Sequence, residues 1–123
     1  MITGVGVDIV EKERIERIFL KYGTKFVAKI LSDREIKEFN KQKTQRLKIK
    51  YLSNNFAGKE SVSKAMGTGF SLGLTPNLIE ILRDEKGAPI VKLLGIFSEE
   101  HHSIKLSLSD LNNLSLSFAV IEN

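Results

Sequence analysis

Residues 56–70 read FAGKESVSKAMGTGF, a helical stretch that runs into a glycine-rich turn. From about Leu47 to Met66 the apolar residues recur at helical spacing, which predicts one long helix. Glu60 and Lys64 are four residues apart, so their side chains lie on the same face of that helix. The turn at 67–69 follows directly, and its flexible backbone can approach an anionic ligand.

Each of these features also has an ordinary structural explanation. A Glu-Lys pair at this spacing is commonly a surface contact worth a few tenths of a kcal/mol. A glycine-rich turn after a helix is commonly the C-terminal cap of that helix. The functional interpretation therefore depends on what else the fold brings to this face.

The N-terminal segment supplies a second carboxylate. Residues 2–10, ITGVGVDIV, are rich in β-branched residues and predict a short strand that ends near Asp8. Apolar residues at helical spacing then predict a helix over about 11–22. At this junction Asp8 either caps the helix or belongs to a functional site. If the fold places Asp8 beside Glu60, the two carboxylates suit Mg²⁺, and Lys64 suits the phosphates that Mg²⁺ commonly accompanies.

The rest of the sequence predicts helices first and strands afterwards. SDRE at 32–35 matches a capping box that opens a helix. The basic run NKQKTQRLKIK at 40–50 predicts either a loop or the first turn of the long helix. Alternating segments within 77–94 and within 103–122 predict two β-hairpins. We expect one α+β domain over residues 1–123, with an N-terminal strand and helices packed on a mostly antiparallel sheet.

The amino-acid composition excludes some kinds of site and favours an anionic partner. The 123-residue chain contains no cysteine, which excludes disulfides and thiolate metal sites. Fifteen basic and eight acidic side chains give residues 1–64 a charge of +7, whereas four and seven give residues 65–123 a charge of −3. The first half therefore favours nucleic acid, an acidic protein or a phosphorylated ligand as partner, although a solvated lysine-rich surface also fits.

No segment resembles a signal peptide or a membrane span, so we expect a cytoplasmic protein.

Four segments together resemble the holo-[acyl carrier protein] synthases, the small single-domain 4′-phosphopantetheinyl transferases. The segments are GVGVDIVEKERIE at 4–16, FAGKESVSKAMGTG at 56–69, KGAPIV at 86–91 and IKLSLSD at 104–110. Their order and spacing match the family over nearly the whole chain. The resemblance implies transfer of 4′-phosphopantetheine from coenzyme A to a serine of apo acyl carrier protein. The resemblance further implies that adenosine 3′,5′-bisphosphate is released and that the reaction supports fatty acid biosynthesis.

The resemblance also implies roles for individual residues. Asp8 and Glu60 match the residues that bind Mg²⁺ against the coenzyme A diphosphate, and Lys64 matches the lysine that contacts the phosphates. The proton of the incoming serine goes either to Glu60 or to a water oriented by Asp8. These three residues form the implied catalytic group. Further coenzyme A contacts are implied at Lys59, Ser63, Gly67, Thr68, Gly69 and Pro89.

Members of this family act on an acidic carrier protein and form homotrimers with coenzyme A between neighbouring subunits. The resemblance therefore implies a basic docking helix, an oligomer, and neither nucleic acid nor a membrane as partner. The strands within 103–122 are candidates for the subunit interface, although alternation equally fits a sheet with one exposed face. The implied docking residues are Arg14, Arg17, Lys21, Lys25 and Phe26.

Two positions, Asp110 and Asn55, depart from the family pattern, and Val10 agrees with the small subfamily. Val10 stands where larger relatives carry an acidic residue, as in the small subfamily. Asp110 replaces the usual histidine near the coenzyme A phosphates and should repel phosphate. Asn55 replaces an arginine, which predicts weaker coenzyme A binding. His101 and His102 are candidates to compensate, but adjacent histidines in a polar loop are more often simply exposed.

Two other functions stay open at this point. A basic nucleic-acid-binding module fits the charge asymmetry, but the nine aromatic residues include no tryptophan and mostly occupy apolar faces. Stacking platforms for bases are therefore scarce. A catalytically degenerate carrier-protein binder is suggested only by Asp110 and Asn55. Coenzyme A binding without turnover would distinguish this second alternative.

Overall fold

A computed structural model describes residues 1–100 and 102–123 and shows a strand, four helices and two hairpins in that order. The N-terminal half contains β1 (Ile2–Glu11), α1 (Lys12–Tyr22), α2 (Thr24–Ile30), α3 (Asp33–Asn40) and α4 (Gln45–Ala65). The C-terminal half contains β2 (Ile79–Arg83), β3 (Pro89–Leu93), β4 (Ser103–Asp110) and β5 (Leu114–Glu122). The expected α+β class is confirmed.

The strands form two antiparallel sheets. One sheet has three strands in the order β1-β5-β4, and the other is the β2-β3 hairpin. In the larger sheet Asp8 lies opposite Ser117, and Val7 lies opposite Phe118. The sequence correctly predicted antiparallel pairing and both hairpins, but not the division into two sheets.

β1 is longer than the sequence predicted. It continues to Glu11, three residues beyond Asp8, and Glu11 itself is the N-cap residue of α1. Asp8 is therefore not a helix cap, which removes capping as an explanation of its role. Because side chains alternate along a strand, Asp8 shares a face with Gly6 and Val10, both of which are buried.

The helices largely follow the sequence patterns. The capping box of α3 is confirmed, since the Ser32 hydroxyl accepts from the Glu35 N–H at 3.3 Å and the Glu35 carboxylate accepts from the Ser32 N–H at 2.8 Å. The basic run at 40–50 divides at Thr44, the N-cap residue of α4, so its second part forms the first turn of the long helix. The short α2 was not predicted, because it offers only two buried residues, Val27 and Ile30.

α4 lies at the centre of the fold and packs closely against β1. Two core clusters flank it, one built mainly from the helices and the other from α4, the β2-β3 hairpin and β5. Gly4 and Gly6 permit the contact with β1, because a Cβ atom at these positions would lie 1.9 Å from the Ala65 carbonyl oxygen and 2.0 Å from that of Ser61. This close approach brings Asp8 to the last turns of α4.

The face of the large sheet turned away from α4 is apolar and open. We call it the outer sheet face, formed by Val5, Val7, Ile9, Leu116 and Phe118, all between 44% and 61% exposed. The strand register places Val7 beside Phe118 and Ile9 beside Leu116, so the patch is continuous across β1 and β5. In the described part of the chain no helix is both long and apolar enough to cross a membrane.

Candidate active site

The centre of the site is an ion pair between β1 and α4. The Lys64 ammonium donates to the Asp8 carboxylate and to the Val7 carbonyl oxygen, both at 3.0 Å. The Lys64 side chain is 51% exposed and that of Asp8 is 15% exposed. The pair therefore stands at the surface, where a ligand can reach it.

Glu60 lies one turn before Lys64 on α4 and completes the cluster. Burial raises the pKa of Glu60, and the nearby Asp8 charge raises it further, whereas Lys64 and Arg14 act in the opposite direction. Within residues 1–100 and 102–123 no hydrogen bond or ion pair to the Glu60 carboxylate is found. The fold thus brings Asp8, Glu60 and Lys64 together, with one carboxylate free of a protein partner.

The donor set of this cluster fits a magnesium ion. Among the described residues no group of three or more histidine, aspartate or glutamate side chains is placed to hold a metal. The chain therefore offers two carboxylates, and Mg²⁺ is typically bound through one or two carboxylates while it keeps several waters. Val10 is 4% exposed and apolar, so it adds no third ligand.

The structure does not support the predicted coenzyme A contacts by the side chains of Lys59 and Ser63. Both residues are 0% exposed, so neither side chain reaches a ligand. The Lys59 ammonium donates to the Glu35 carboxylate at 2.6 Å and to the Pro76 and Ile79 carbonyl oxygens. The Ser63 hydroxyl donates to the Glu60 carbonyl oxygen at 2.8 Å, within its own helix.

Glu35 is the hub of this buried polar network. Its carboxylate accepts four hydrogen bonds, from the Lys59 ammonium, the Asn55 amide at 3.1 Å, and the N–H groups of Ser32 and Ile81. The network joins α3, α4 and β2. Its only sequence signal was the capping box, which places Glu35 at a helix start but says nothing about the lysine opposite it.

The glycine-rich turn mainly caps α4. The Gly67 N–H donates to the Lys64 carbonyl oxygen at 3.0 Å, and the Gly69 N–H donates to that of Ser63 at 3.1 Å. These two N–H groups are therefore not directed at an anion, and the structural explanation holds for them. Thr68 between them is exposed and lines a cleft of about 370 Å³ together with His102.

Asp110 is neutralised by neighbouring lysines. Its carboxylate accepts from the Lys12 ammonium at 2.7 Å and lies 3.9 Å from that of Lys50. Partial burial disfavours the charged form, but the hydrogen bond and charge of Lys12, with Lys50 and Asn54, outweigh it and hold the pKa of Asp110 below its usual value. The predicted repulsion of phosphate is correspondingly weaker than an isolated carboxylate would give.

Asn55 also differs from the sequence expectation. It is 2% exposed, and its amide is committed to Glu35. In this chain the position faces the core, so the expectation of a missing phosphate contact there is not supported. Asn55 instead extends the buried network around Glu35.

The remaining predicted residues lie on several different elements of the fold. His101 is outside the described residues, and His102 is exposed and lies 3.0 Å from the Glu100 carboxylate. Pro89 begins β3 opposite Arg83, in the smaller sheet. Four of the five docking candidates are exposed, whereas Phe26 is partly buried against the helical core. The exposed four are Arg14, Arg17, Lys21 and Lys25.

Comparison with known proteins places the chain among transferases. A model of the 4′-phosphopantetheinyl transferase superfamily matches residues 4–119. The chain therefore belongs to this superfamily. The similarity extends to one group within it: the holo-[acyl-carrier-protein] synthase of Wolbachia pipientis subsp. Culex pipiens (strain wPip) is 41% identical over 121 residues, which cover 98% of each chain.

Two crystal structures show the same fold. The holo-[acyl-carrier-protein] synthase of Neisseria meningitidis is 35% identical, with a TM-score of 0.89 and complete coverage of both chains. That of Bacillus anthracis str. Ames, in complex with CoA (3′,5′-ADP), is 32% identical, with a TM-score of 0.86 over 99% of this chain and 97% of that one. The resemblance inferred from the sequence motifs is confirmed, as is the expectation of an enzyme of this class.

Proposed function

We propose that the protein transfers 4′-phosphopantetheine from coenzyme A to a serine of apo acyl carrier protein, in the presence of Mg²⁺. Residues 1–123 act as one phosphopantetheinyl transferase domain. The observation that carries the proposal is the meeting of Asp8 from β1 with Glu60 and Lys64 from α4. The coenzyme A ligand of the Bacillus anthracis relative supports the choice of donor.

The reaction forms one bond to phosphorus and breaks another. The serine oxygen attacks the phosphorus of the phosphopantetheine phosphate, and adenosine 3′,5′-bisphosphate leaves with the electrons of the broken P–O bond. Lys64 binds the phosphate oxygens and offsets the charge that moves to the leaving group. Asp8 and Glu60 would hold Mg²⁺, which neutralises the diphosphate charge when bound.

Glu60 is our candidate for the acceptor of the serine proton. Its carboxylate has no protein partner among the described residues, whereas that of Asp8 is paired with Lys64. Burial and the Asp8 charge raise the pKa of Glu60. A carboxylate with a raised pKa is a stronger base, and so it takes a proton more readily.

The carrier protein is expected to dock on the exposed basic side chains of α1 and α2. These cations attract an acidic partner and accelerate encounter, an effect that falls with added salt. Arg14 also lowers the pKa of Glu60 through its charge, so the docking surface borders the catalytic group. A carrier protein bound there could present its serine to Glu60. Thr68 and Pro89 stay proposed coenzyme A contacts.

We propose a homotrimer with coenzyme A sites between subunits, as the family resemblance implies, and the outer sheet face is our candidate for its interface. Three apolar side chains of β1 and two of β5 lie in adjacent rows with 44% to 61% of their surface exposed. A continuous apolar patch of this kind is typical of a protein interface. We place the assembly in the cytoplasm, where it would serve fatty acid biosynthesis.

The decisive experiment measures the intact mass of an acidic apo acyl carrier protein after incubation with this protein, coenzyme A and Mg²⁺. A gain equal to one phosphopantetheine group is expected, and both a chelator and Asp8→Asn should prevent it. Exposed Glu85 is far from these residues in sequence, so Glu85→Gln serves as a charge-matched control that retains activity. Bound coenzyme A without a mass gain for several carrier proteins would favour the degenerate binder instead.

A further inference from the structure

We infer that Lys64 is a resident counter-ion that competes with the divalent cation for Asp8, so that metal and diphosphate load together. This inference rests on the proposed function, and it adds an order of assembly to the site. Lys64 first neutralises Asp8 and then moves to the diphosphate when the co-substrate arrives. Metal alone binds less tightly than it would to a free carboxylate, because it must displace an ammonium group.

Lys64 occupies an Asp8 oxygen that a divalent cation would use. Its ammonium lies 3.0 Å from the Asp8 oxygen, which is a direct charge-assisted hydrogen bond. A cation coordinated by the same oxygen would stand next to that ammonium, and like charges at such a distance repel. One of the two must therefore leave this oxygen.

The formal charge of the cluster also favours joint binding of the metal and the diphosphate. The cluster contains two carboxylates, Asp8 and Glu60, and two cationic groups whose charges act on Glu60, Lys64 and Arg14. Its formal charge is therefore zero, and a divalent cation alone would leave it at +2. A diphosphate brings about two negative charges, so metal and diphosphate together restore the balance.

Lys64 is also free to move, unlike the lysine five residues before it. Its side chain is 51% exposed and makes one bond to a carboxylate and one to a carbonyl oxygen. A half-exposed ion pair contributes little to stability, so it separates at low cost. The long lysine stem lets the ammonium follow a phosphate while α4 stays in place.

The test uses Mn²⁺ as the probe and measures the free ion by electron paramagnetic resonance, with the protein of residues 1–123 and no co-substrate. Lys64→Gln should bind Mn²⁺ at least about threefold more tightly than the wild type, since the competing charge is removed. Lys37→Gln, which removes an exposed lysine on α3, should leave Mn²⁺ affinity unchanged. Asp8→Asn should weaken Mn²⁺ binding in either background.

Added coenzyme A provides the second measurement. It should raise Mn²⁺ affinity more in the wild type than in Lys64→Gln, because only the wild type gains from moving its lysine to the phosphates. Circular dichroism and thermal unfolding of Lys64→Gln verify that the fold is retained.

The possible outcomes separate this inference from the proposed function. Equal or weaker Mn²⁺ binding by Lys64→Gln, with Asp8→Asn still impaired, would overturn the competition and leave the metal site intact. Mn²⁺ binding that does not change in Asp8→Asn would instead overturn the metal site itself.

Discussion

Lys59 and Lys64 lie five residues apart on α4 and make opposite kinds of contact. Lys59 is 0% exposed and donates to three acceptors, one of them the buried Glu35 carboxylate. Lys64 is 51% exposed, and its one carboxylate partner, Asp8, belongs to the proposed metal site. The same residue type on the same helix thus serves stability at one position and proposed chemistry at the other.

The glutamates of the two regions differ in the same way. Glu35 accepts four hydrogen bonds and is fully buried, so its charge is compensated in place. Glu60 accepts none among the described residues, and burial raises its pKa. A completely satisfied ionic group holds a fold together, whereas an incompletely satisfied one is available to bind or react.

The largest effect is expected from breaking the buried pair. Lys59→Met should lower the free energy of unfolding by about 3–5 kcal/mol, because the Glu35 charge stays buried without its cation. Lys64→Met should lower it by less than about 1 kcal/mol, since a half-exposed pair is screened by solvent. Urea unfolding followed by circular dichroism measures both. Similar losses for the two variants would contradict the division into a structural and a functional lysine.

Glu60→Gln should strongly reduce activity while slightly increasing stability. We expect the transfer rate to fall at least about a hundredfold, because the metal loses a charged ligand and the serine loses its base. The free energy of unfolding should rise slightly at neutral pH, since the raised pKa means that burial disfavours the ionised carboxylate. Carrier-protein modification and urea unfolding give the two readouts. A large loss of stability would show that Glu60 supports the fold.

Gly6→Ala tests whether the close packing of β1 on α4 supports both the stability of the fold and the geometry of the site. The new Cβ would lie 2.0 Å from the Ser61 carbonyl oxygen, so β1 and α4 must separate. We expect a loss of about 1–3 kcal/mol in the free energy of unfolding, as for other overpacked positions. Transfer activity should also fall, because Asp8 moves away from Lys64. Unchanged stability would mean that β1 shifts without cost.

The smallest effect concerns Asp110, whose folded-state pKa is lowered by Lys12 and Lys50 against the effect of burial. A lowered pKa means that the charged carboxylate stabilises the fold above its unfolded pKa of about 4, and that this contribution disappears as the pH falls through the folded pKa. Asp110→Asn should therefore cost about 1 kcal/mol at pH near 7 and almost nothing at strongly acidic pH. Urea unfolding at both pH values measures the difference. A cost independent of pH would exclude the ion pair as its cause.

Local patterns predicted most of the fold. The capping box of α3, the helical spacing of α4 and the alternation of β2 to β5 are each properties of a few neighbouring residues, and all four hairpin strands appear where expected. The length of β1 was not predicted, because its pairing with β5 joins residues more than a hundred positions apart. The short α2 gave too weak a periodic signal.

The site was predicted in part. Spacing and family resemblance identified Asp8, Glu60 and Lys64, which the fold brings together. The burial of Lys59 and Ser63 was not predicted, because a helix packed on several sides has no single solvent face and its sequence does not show which side remains open. Gly6, two residues before Asp8, was a usable signal, since a strand glycine commonly marks close backbone approach.

α4 fixes the positions of Lys59 and Lys64 relative to each other. Its hydrogen-bonded turns fix the angle between the side chain in the core and the side chain at the surface, and each residue contributes about 100° of rotation. One residue inserted or deleted between positions 59 and 64 would therefore turn Lys64 away from Asp8 while Lys59 kept its buried contacts. A change of length in this segment is therefore expected to separate Lys64 from Asp8 even when every side chain is kept.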